Sequence, residues 1–279
     1  MTSVAALLVT HDSQRWIEAT LASVAEQTRQ PDVIVVVDDH STDRTVAMCH
    51  ELTGGRAVVH AATSQATDLR SRIAQNFQQG VRACAEHDVV VLGDHDDIWL
   101  PTRLEHQCAV LDARPTAAMV ASDGRLVDEK GVEVGGTLRG EFPVPAGFSG
   151  MTAAARMRAV LRHLVATGGA SALRPDAFAP LGIPEGWYHD RWWSLVATAR
   201  EAMVIDDAVV IDYRLSGGQE VGLASGSVHS SGIGRVADAA RSIGPSVRKL
   251  SDIRRDLAPL ATEATAPELR GLRLLRNLL

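Results

Sequence analysis

The chain's 279 residues suffice for one large α/β domain, or for one domain with an extension. Hydrophobic residues make up 46% and charged residues 22%, a balance that suits a folded core and excludes a disordered or fibrous chain. A formal net charge of −6 argues against broad attraction to nucleic acid, and no apolar stretch reaches the length of a membrane span.

The three cysteines, Cys49, Cys84 and Cys108, are odd in number and lack metal-ligand spacing. They read as small hydrophobes on helices in a reducing cytosol. The apolar N-terminal run has no basic flank and no cleavage site, so a signal peptide is not expected.

In chain order, "VAALLVT" (4–10) is a continuous apolar run, the pattern of a buried parallel strand. A helix with Trp16, Ile17, Leu21 and Val24 on one face is expected next. "VIVVVDD" (33–39) follows as a strand, 45–52 as a helix opened by Ser41-Thr42-Asp43, "RAVVH" (56–60) as a short strand, and 69–86 as a helix. "DVVVLGD" (88–94) is a fourth strand, Pro101 opens a helix to about residue 113, and "AAMVASD" (117–123) is a fifth strand. This βαβαβαβαβ succession predicts a Rossmann-like, mostly parallel sheet with helices on both faces.

The character then changes. Residues 127–138 read as two short strands joined by a turn at Gly131, and residues 139–150 as a mobile loop. A helix over 153–165, a strand at 168–173, a helix over 186–200 and a last strand at 208–215 complete the pattern. From about residue 223 the chain turns arginine-rich and helical. Its final leucines and arginines allow docking on the domain, pairing with another subunit, or contact with an anionic membrane surface.

In an open parallel sheet the ligand lies beyond the carboxyl ends of the strands. Three strands here end in polar residues: Thr10-His11-Asp12, Asp38-Asp39, and Asp94-His95-Asp96-Asp97. A carboxylate meeting a nucleotide base must accept a hydrogen bond, so Asp39 favours the ring N3–H of uracil or thymine, with the N–H groups of guanine as the alternative. The plain alternative, a helix cap, is already available from Ser41 and Asp43. The second acidic group suits a diphosphate held through a hard divalent cation, Asp94 and Asp96 pointing to one side of an extended segment. A solvated acidic loop is the competing account.

The blocks "VTHDSQRWIEATLASVAEQT", "VVVDDHSTDRT", "GDHDDIWLPTRLEHQ", "SDGRLVDEKG", "TGGASALRPD", "PEGWYHDRWW" and "VIDYRLSGGQEVG" resemble, in order, the family 2 glycosyltransferases of GT-A fold. They are nearest to the bacterial rhamnosyltransferase-like branch. The resemblance implies a GT-A domain over 1–222, with a nucleotide-binding half to about 125 and an acceptor half beyond, and a helical extension over 223–279. It implies nucleotide-sugar contacts from Thr10, His11, Asp12, Asp39, Asn76, Asp94, His95, Gly169 and Ala170, and Mg²⁺ or Mn²⁺ on Asp94 and Asp96. Asp190 becomes the catalytic base, with His189 ranked second, and Trp187 and Trp192 flank the acceptor.

The implied enzyme is inverting and cytoplasmic and uses a UDP- or dTDP-sugar, with the inner membrane face open to its C-terminal helices. Its acceptor is a polysaccharide, lipid-linked or small-molecule hydroxyl. Two departures stand out: His95 replaces a glutamine, and Ser216 stands where the branch has a histidine. A sugar nucleotidyltransferase is disfavoured because no glycine-rich loop follows the first strand. A non-catalytic sugar-nucleotide-binding module stays open, supported by the missing histidine alone.

Overall fold

The computed structural model describes residues 2–215, 247–271, 273 and 274. The expectation attached to Ser216 lies outside these residues. Along the chain run β1 (Val4–Thr10), α1 (Ile17–Ala25), β2 (Val33–Asp38), α2 (Thr45–Leu52), β3 (Ala57–Ala61), α3 (Leu69–Ala83), β4 (Val89–Asp94) and β5 (Ile98–Trp99). Then come α4 (Arg103–Asp112), β6 (Met119–Val127), β7 (Glu133–Thr137), α5 (Leu138–Glu141), α6 (Ala153–Arg162), β8 (Ser171–Leu173), α7 (His189–Ala199), β9 (Met203–Arg214) and α8 (Val247–Asp252).

The described residues form a nine-stranded sheet in the order β3-β2-β1-β4-β8-β6-β9-β5, with β7 paired to β6. The first four strands are parallel, as the apolar runs predict. Alternation along β1 shows why both faces are covered. Ala5, Leu7 and Val9 point into a core shared with Phe77 and Val81 of α3 and with α6 and α7. Val4, Ala6 and Leu8 point into the opposite core, with Ile17, Leu21 and Val24 of α1, Cys49 of α2, and Leu104, Cys108 and Leu111 of α4. Each such buried aliphatic side chain stabilises the fold by about 1.5–3 kcal/mol.

Several expectations need correction. The fifth long strand begins at Met119 and continues to Val127, and it does not lie beside β4, because the antiparallel β8 is inserted between them. Residues 168–173 are a 3-10 turn (Gly168–Ala170) followed by only three strand residues. Residues 139–150 are not a bare loop: α5 and a 3-10 turn at Phe148–Gly150 occupy them, anchored by buried Leu138 and Phe148. The α6 helix stops at Arg162, and the last strand starts five residues early, at Met203. Trp16 is not on the apolar face of α1 but at its N-cap.

The insertion of β8 shapes the site. Because β8 runs against β4, its amino end reaches the edge where the parallel strands have their carboxyl ends. The Gly168–Ala170 turn is thereby delivered beside Asp94.

The described part of the C-terminal extension docks on the domain. Ile253, Leu257, Leu269 and Leu274 enter the core on the α6/α7 side. Trp187 Nε1 donates to Asp252 Oδ2 at 3.0 Å, and Arg158 pairs with Glu268 at 2.8 Å. Among the described residues no helix is long and apolar enough to cross a membrane.

Candidate active site

Two acidic groups occupy the carboxyl edge of the sheet. At the first, Thr10 and Asp38 are adjacent strand partners, and Thr10 Oγ1 donates to Asp38 Oδ1 at 2.9 Å. Asp38 also accepts from the Ser41 amide at 2.9 Å and from the Ser41 hydroxyl at 2.6 Å. Asp12, in the left-handed region at φ 43°, accepts from the Thr42 amide at 2.7 Å, and His11 Nδ1 lies 2.7 Å from the Asp39 carbonyl oxygen. Asp39 is only 6% exposed, and Arg72 of α3 donates to its Oδ2 at 2.7 Å. Arg72 is absent from the set of site residues expected from the sequence.

The second group is arranged differently. Asp94 closes β4, and Asp96 and Asp97 follow in a tight turn before β5. Gly169 sits against them so closely that a methyl group there would lie 2.7 Å from Asp97 Oδ2 and 2.9 Å from Asp94 Oδ2. Asp97 Oδ1 accepts from the Arg214 amide at 3.1 Å, whereas its buried Oδ2 has no hydrogen-bond partner among the described residues. Burial, with Asp96 and Asp190 nearby, pushes Asp94 up to about 7. Burial and the same neighbouring carboxylates, Asp96 and Asp94, raise Asp97 well above the usual range.

Beneath them lies a fully buried cation. Arg103 of α4 stacks its guanidinium 4.1 Å over Trp99, donates to the Leu92 carbonyl at 2.6 Å, and is held by Gln107 at 3.2 Å. Burial pulls it down to about 9, opposed by Asp97 and Asp94. Tyr213 of β9 belongs to the same neighbourhood: burial raises its phenol well above the ordinary value, and Asp97, Asp94, Asp96 and Asp190 add to the rise.

Asp190 enters from the first turn of α7. Its Oδ1 accepts from the Arg191 amide at 2.6 Å and its Oδ2 from the Gly168 amide at 3.3 Å. Desolvation raises it to about 6 against those two hydrogen bonds. The Arg191 guanidinium anchors this turn by donating to the carbonyls of Val160, Leu161 and His163 at the end of α6, where the helix dipole favours a cation.

Other expected residues fall elsewhere. His189 is 6% exposed, stacked on Phe77 at 3.8 Å between centroids, and pressed against Gly168; burial holds its imidazole down to about 3. It is a neutral core residue, not a competing base. Trp187 and Trp192 are also core: their rings pack on one another at 5.1 Å, and their N–H groups are engaged by Asp252 and the Gly182 carbonyl. Asn76 of α3 is fully buried, and neither amide atom has a partner among the described residues. His95 is half-buried, with its carbonyl bonded to the Thr20 hydroxyl at 2.9 Å, and Ala170 is buried beside Gly169.

Of the residues missed by sequence reasoning, Asp97 had a readable signal, since it completes the run Asp94-His95-Asp96-Asp97. Arg103, Tyr213 and Arg214 lie within the quoted motif blocks but only tertiary contact shows their part in the site, and Arg72 had no signal.

Residues 6–135 match the model of "Glycosyl transferase family 2". No curated protein is similar enough in sequence to match. Among solved structures, Staphylococcus aureus TarS 1-349 in complex with UDP-GlcNAc is 18% identical, with a TM-score of 0.62 over 98% of this chain and 72% of that one. The mannosyltransferase PcManGT of Pyrobaculum calidifontis, in complex with GDP-Man and Mn²⁺, is 18% identical, with a TM-score of 0.59 over 96% of this chain and 67% of that one. Glucosyl-3-phosphoglycerate synthase of Mycobacterium tuberculosis, with Mn²⁺, UDP-Glc and phosphoglyceric acid, is 17% identical, with a TM-score of 0.53 over 86% and 79%. The chain spans 61% of a second TarS 1-349 structure, in complex with UDP, and 43% of a further TarS structure.

Proposed function

We infer that this chain, whose residues 6–135 match the family 2 glycosyl transferase model, is a glycosyltransferase that moves a sugar from a nucleoside diphosphate donor to an acceptor hydroxyl with inversion. One observation carries this reading: Asp94, Asp97 and Asp190 converge around the Gly168–Ala170 turn with Asp96 beside them, and burial raises all three carboxyls.

The residues fit a divalent cation. Asp94 and Asp97 flank a hollow that a single methyl group would fill, one buried carboxylate oxygen lacks a partner, and like charges crowd together. Among the described residues no three His, Cys, Asp or Glu side chains form a ready-made metal cage. That suits Mg²⁺ or Mn²⁺, which take few carboxylates and complete their shell with phosphate oxygens and water. Asp94 and Asp96 would hold the ion, which would neutralise charge on the departing diphosphate. The Mn²⁺ found with the mannosyltransferase and the phosphoglycerate synthase supports the same choice.

Asp39 would accept the N3–H of a uracil or thymine base, Arg72 fixing one of its oxygens and leaving the other for the base. The donors named for TarS and for the phosphoglycerate synthase, UDP-GlcNAc and UDP-Glc, favour uridine. Asp190 would take the proton of the acceptor hydroxyl as its oxygen attacks the anomeric carbon. The bond from that carbon to the diphosphate breaks on the opposite side, and the configuration inverts. A base near pKa 6 is ionised at neutral pH yet retains useful proton affinity.

The reading is tested by calorimetric titration of UDP, dTDP and GDP, each with Mn²⁺ and with chelator, on the wild type and Asp96→Ala. Uridine or thymidine diphosphate binding that needs both Mn²⁺ and Asp96 is the expected result. If all three nucleotides fail to bind, glycosyl transfer at this site is wrong.

A further inference from the structure

The three residues that follow β4 are each fixed from outside the turn. His95 is held at its carbonyl by the Thr20 hydroxyl. The next two are held by a single residue at the end of β9. Arg214 Nε donates to the Asp96 carbonyl at 2.8 Å, and the Arg214 amide donates to Asp97 Oδ1 at 3.1 Å. Its Nη1 donates to the Glu129 carbonyl at 2.7 Å, in the turn between β6 and β7. Arg214 is 5% exposed.

A platform sets the guanidinium in place. It lies 4.7 Å from the ring centre of Trp16, over which Arg15 also lies at 4.1 Å, and Arg15 in turn pairs with the Glu129 carboxylate at 2.6 Å. Trp16 sits at the start of α1, so four separate pieces of chain meet on one guanidinium: α1, the acidic turn, the β6–β7 turn and β9. The planar fork of arginine matches two carbonyls in different directions, which the single ammonium of lysine cannot do from the same stem.

From this we propose that Arg214 is a positioning residue, which sets the backbone of the Asp96-Asp97 turn so that its carboxylates meet the divalent cation and diphosphate of the donor. The assignment rests on the glycosyl-transfer reading and deepens it. It also gives the late "YRLS" segment a defined part in the site through its arginine. Without the clamp, the turn must be ordered each time the cation binds, and that ordering reduces affinity.

The test compares wild type, Arg214→Lys and Trp16→Leu, titrating UDP by calorimetry with Mn²⁺ and with chelator. Mn²⁺ uptake in the presence of UDP is followed separately by its paramagnetic resonance signal. Thermal melts establish that each variant folds. Arg214→Lys keeps the charge and loses the fork, so the gain in UDP affinity conferred by Mn²⁺ should fall about tenfold, with affinity in chelator unchanged. Trp16→Leu leaves Arg214 in place and removes its platform; it should lose about threefold, and it reads the clamp even if Arg214→Lys folds poorly.

A direct phosphate contact would instead weaken UDP in chelator as well, and that result overturns the positioning role. So does an undiminished Mn²⁺ gain in both variants. A wild type that binds no nucleotide under either condition removes the glycosyl-transfer reading and the clamp together. A wild type that gains from Mn²⁺ beside variants that gain equally removes only the clamp.

Discussion

Two acidic strand ends share one edge of this sheet and are treated in opposite ways. At the end of β2, Asp38 accepts from Thr10 and twice from Ser41, while Asp12 accepts from Thr42 and Asp39 pairs with Arg72. At the end of β4, Asp94 and Asp97 face one another across Gly169, one oxygen lacks any partner among the described residues, and burial and repulsion lift both carboxyls. The first arrangement uses carboxylates as structural acceptors, with one oxygen of Asp39 and one of Asp12 lacking a described hydrogen bond. The second holds negative charge that the described residues do not neutralise, apart from Arg103 beneath it. Satisfied carboxylates build the edge, and unsatisfied ones are where the proposed cation and diphosphate would sit.

The largest expected effect breaks the chemistry while leaving both strand ends intact. Asp190→Asn should lower transfer by roughly 10²–10⁴-fold, the range of general base catalysis, with UDP affinity retained. With Asp190, which burial raises to about 6, as the proposed base, the wild-type rate should rise as pH increases through about 6 and then level off. That acid limb should vanish in Asp190→Asn. A variant that keeps the same limb would show that another group is the base.

Next in size is Gly169→Ala, which places a methyl group in the hollow between Asp94 and Asp97. The Mn²⁺-dependent gain in UDP affinity should fall about tenfold or more, while binding in chelator stays unchanged. No comparable loss is expected from Asp12→Ala at the other strand end, where the carboxylate braces the Thr42 amide. Equal losses at the two positions would erase the distinction between the two ends.

How much of this is legible in the sequence depends on the range of the interactions involved. Apolar runs and periodicity locate β1 to β4 and their helices, because a strand buried on both faces leaves no other pattern. The polar residues at their carboxyl ends locate the edge, and the order of the motifs carries the resemblance to family 2 glycosyltransferases. The insertion of β8 is not legible: three residues that pair antiparallel between two longer strands leave no periodic trace. The tryptophans of "GWYHDRWW" are equally opaque, since an indole on a core face and one on a sugar platform read alike. Arg103 and Arg214 look like ordinary surface arginines in sequence, and only the fold shows them to be buried beneath and beside the acidic turn.

The smallest effects are on stability, and here the two strand ends should differ in sign. Asp38→Asn replaces a carboxylate that accepts three hydrogen bonds by an amide with one accepting oxygen, and the weakened acceptor should cost about 1–3 kcal/mol at any pH above the carboxylate range. Asp97→Asn keeps an oxygen for the Arg214 amide and replaces a carboxyl that burial and its acidic neighbours disfavour as an anion, so the metal-free protein should become more stable at neutral pH. A carboxyl whose pKa is raised by folding stabilises fully below its unfolded value, and that contribution is lost as pH rises through the folded value. For Asp94 the loss falls between about pH 4, the unfolded carboxylate range, and about 7. In chelator, wild-type Tm should therefore decline across this window by more than that of Asp97→Asn, each kcal/mol corresponding to roughly 2–4 °C at this size. Adding Mn²⁺ and UDP should abolish the decline in wild type, because the cation supplies the charge that protonation supplied at low pH. A wild type whose Tm is flat from pH 5 to 8 without metal would mean that the β4 end is as well satisfied as the β2 end, and the contrast between them would fall.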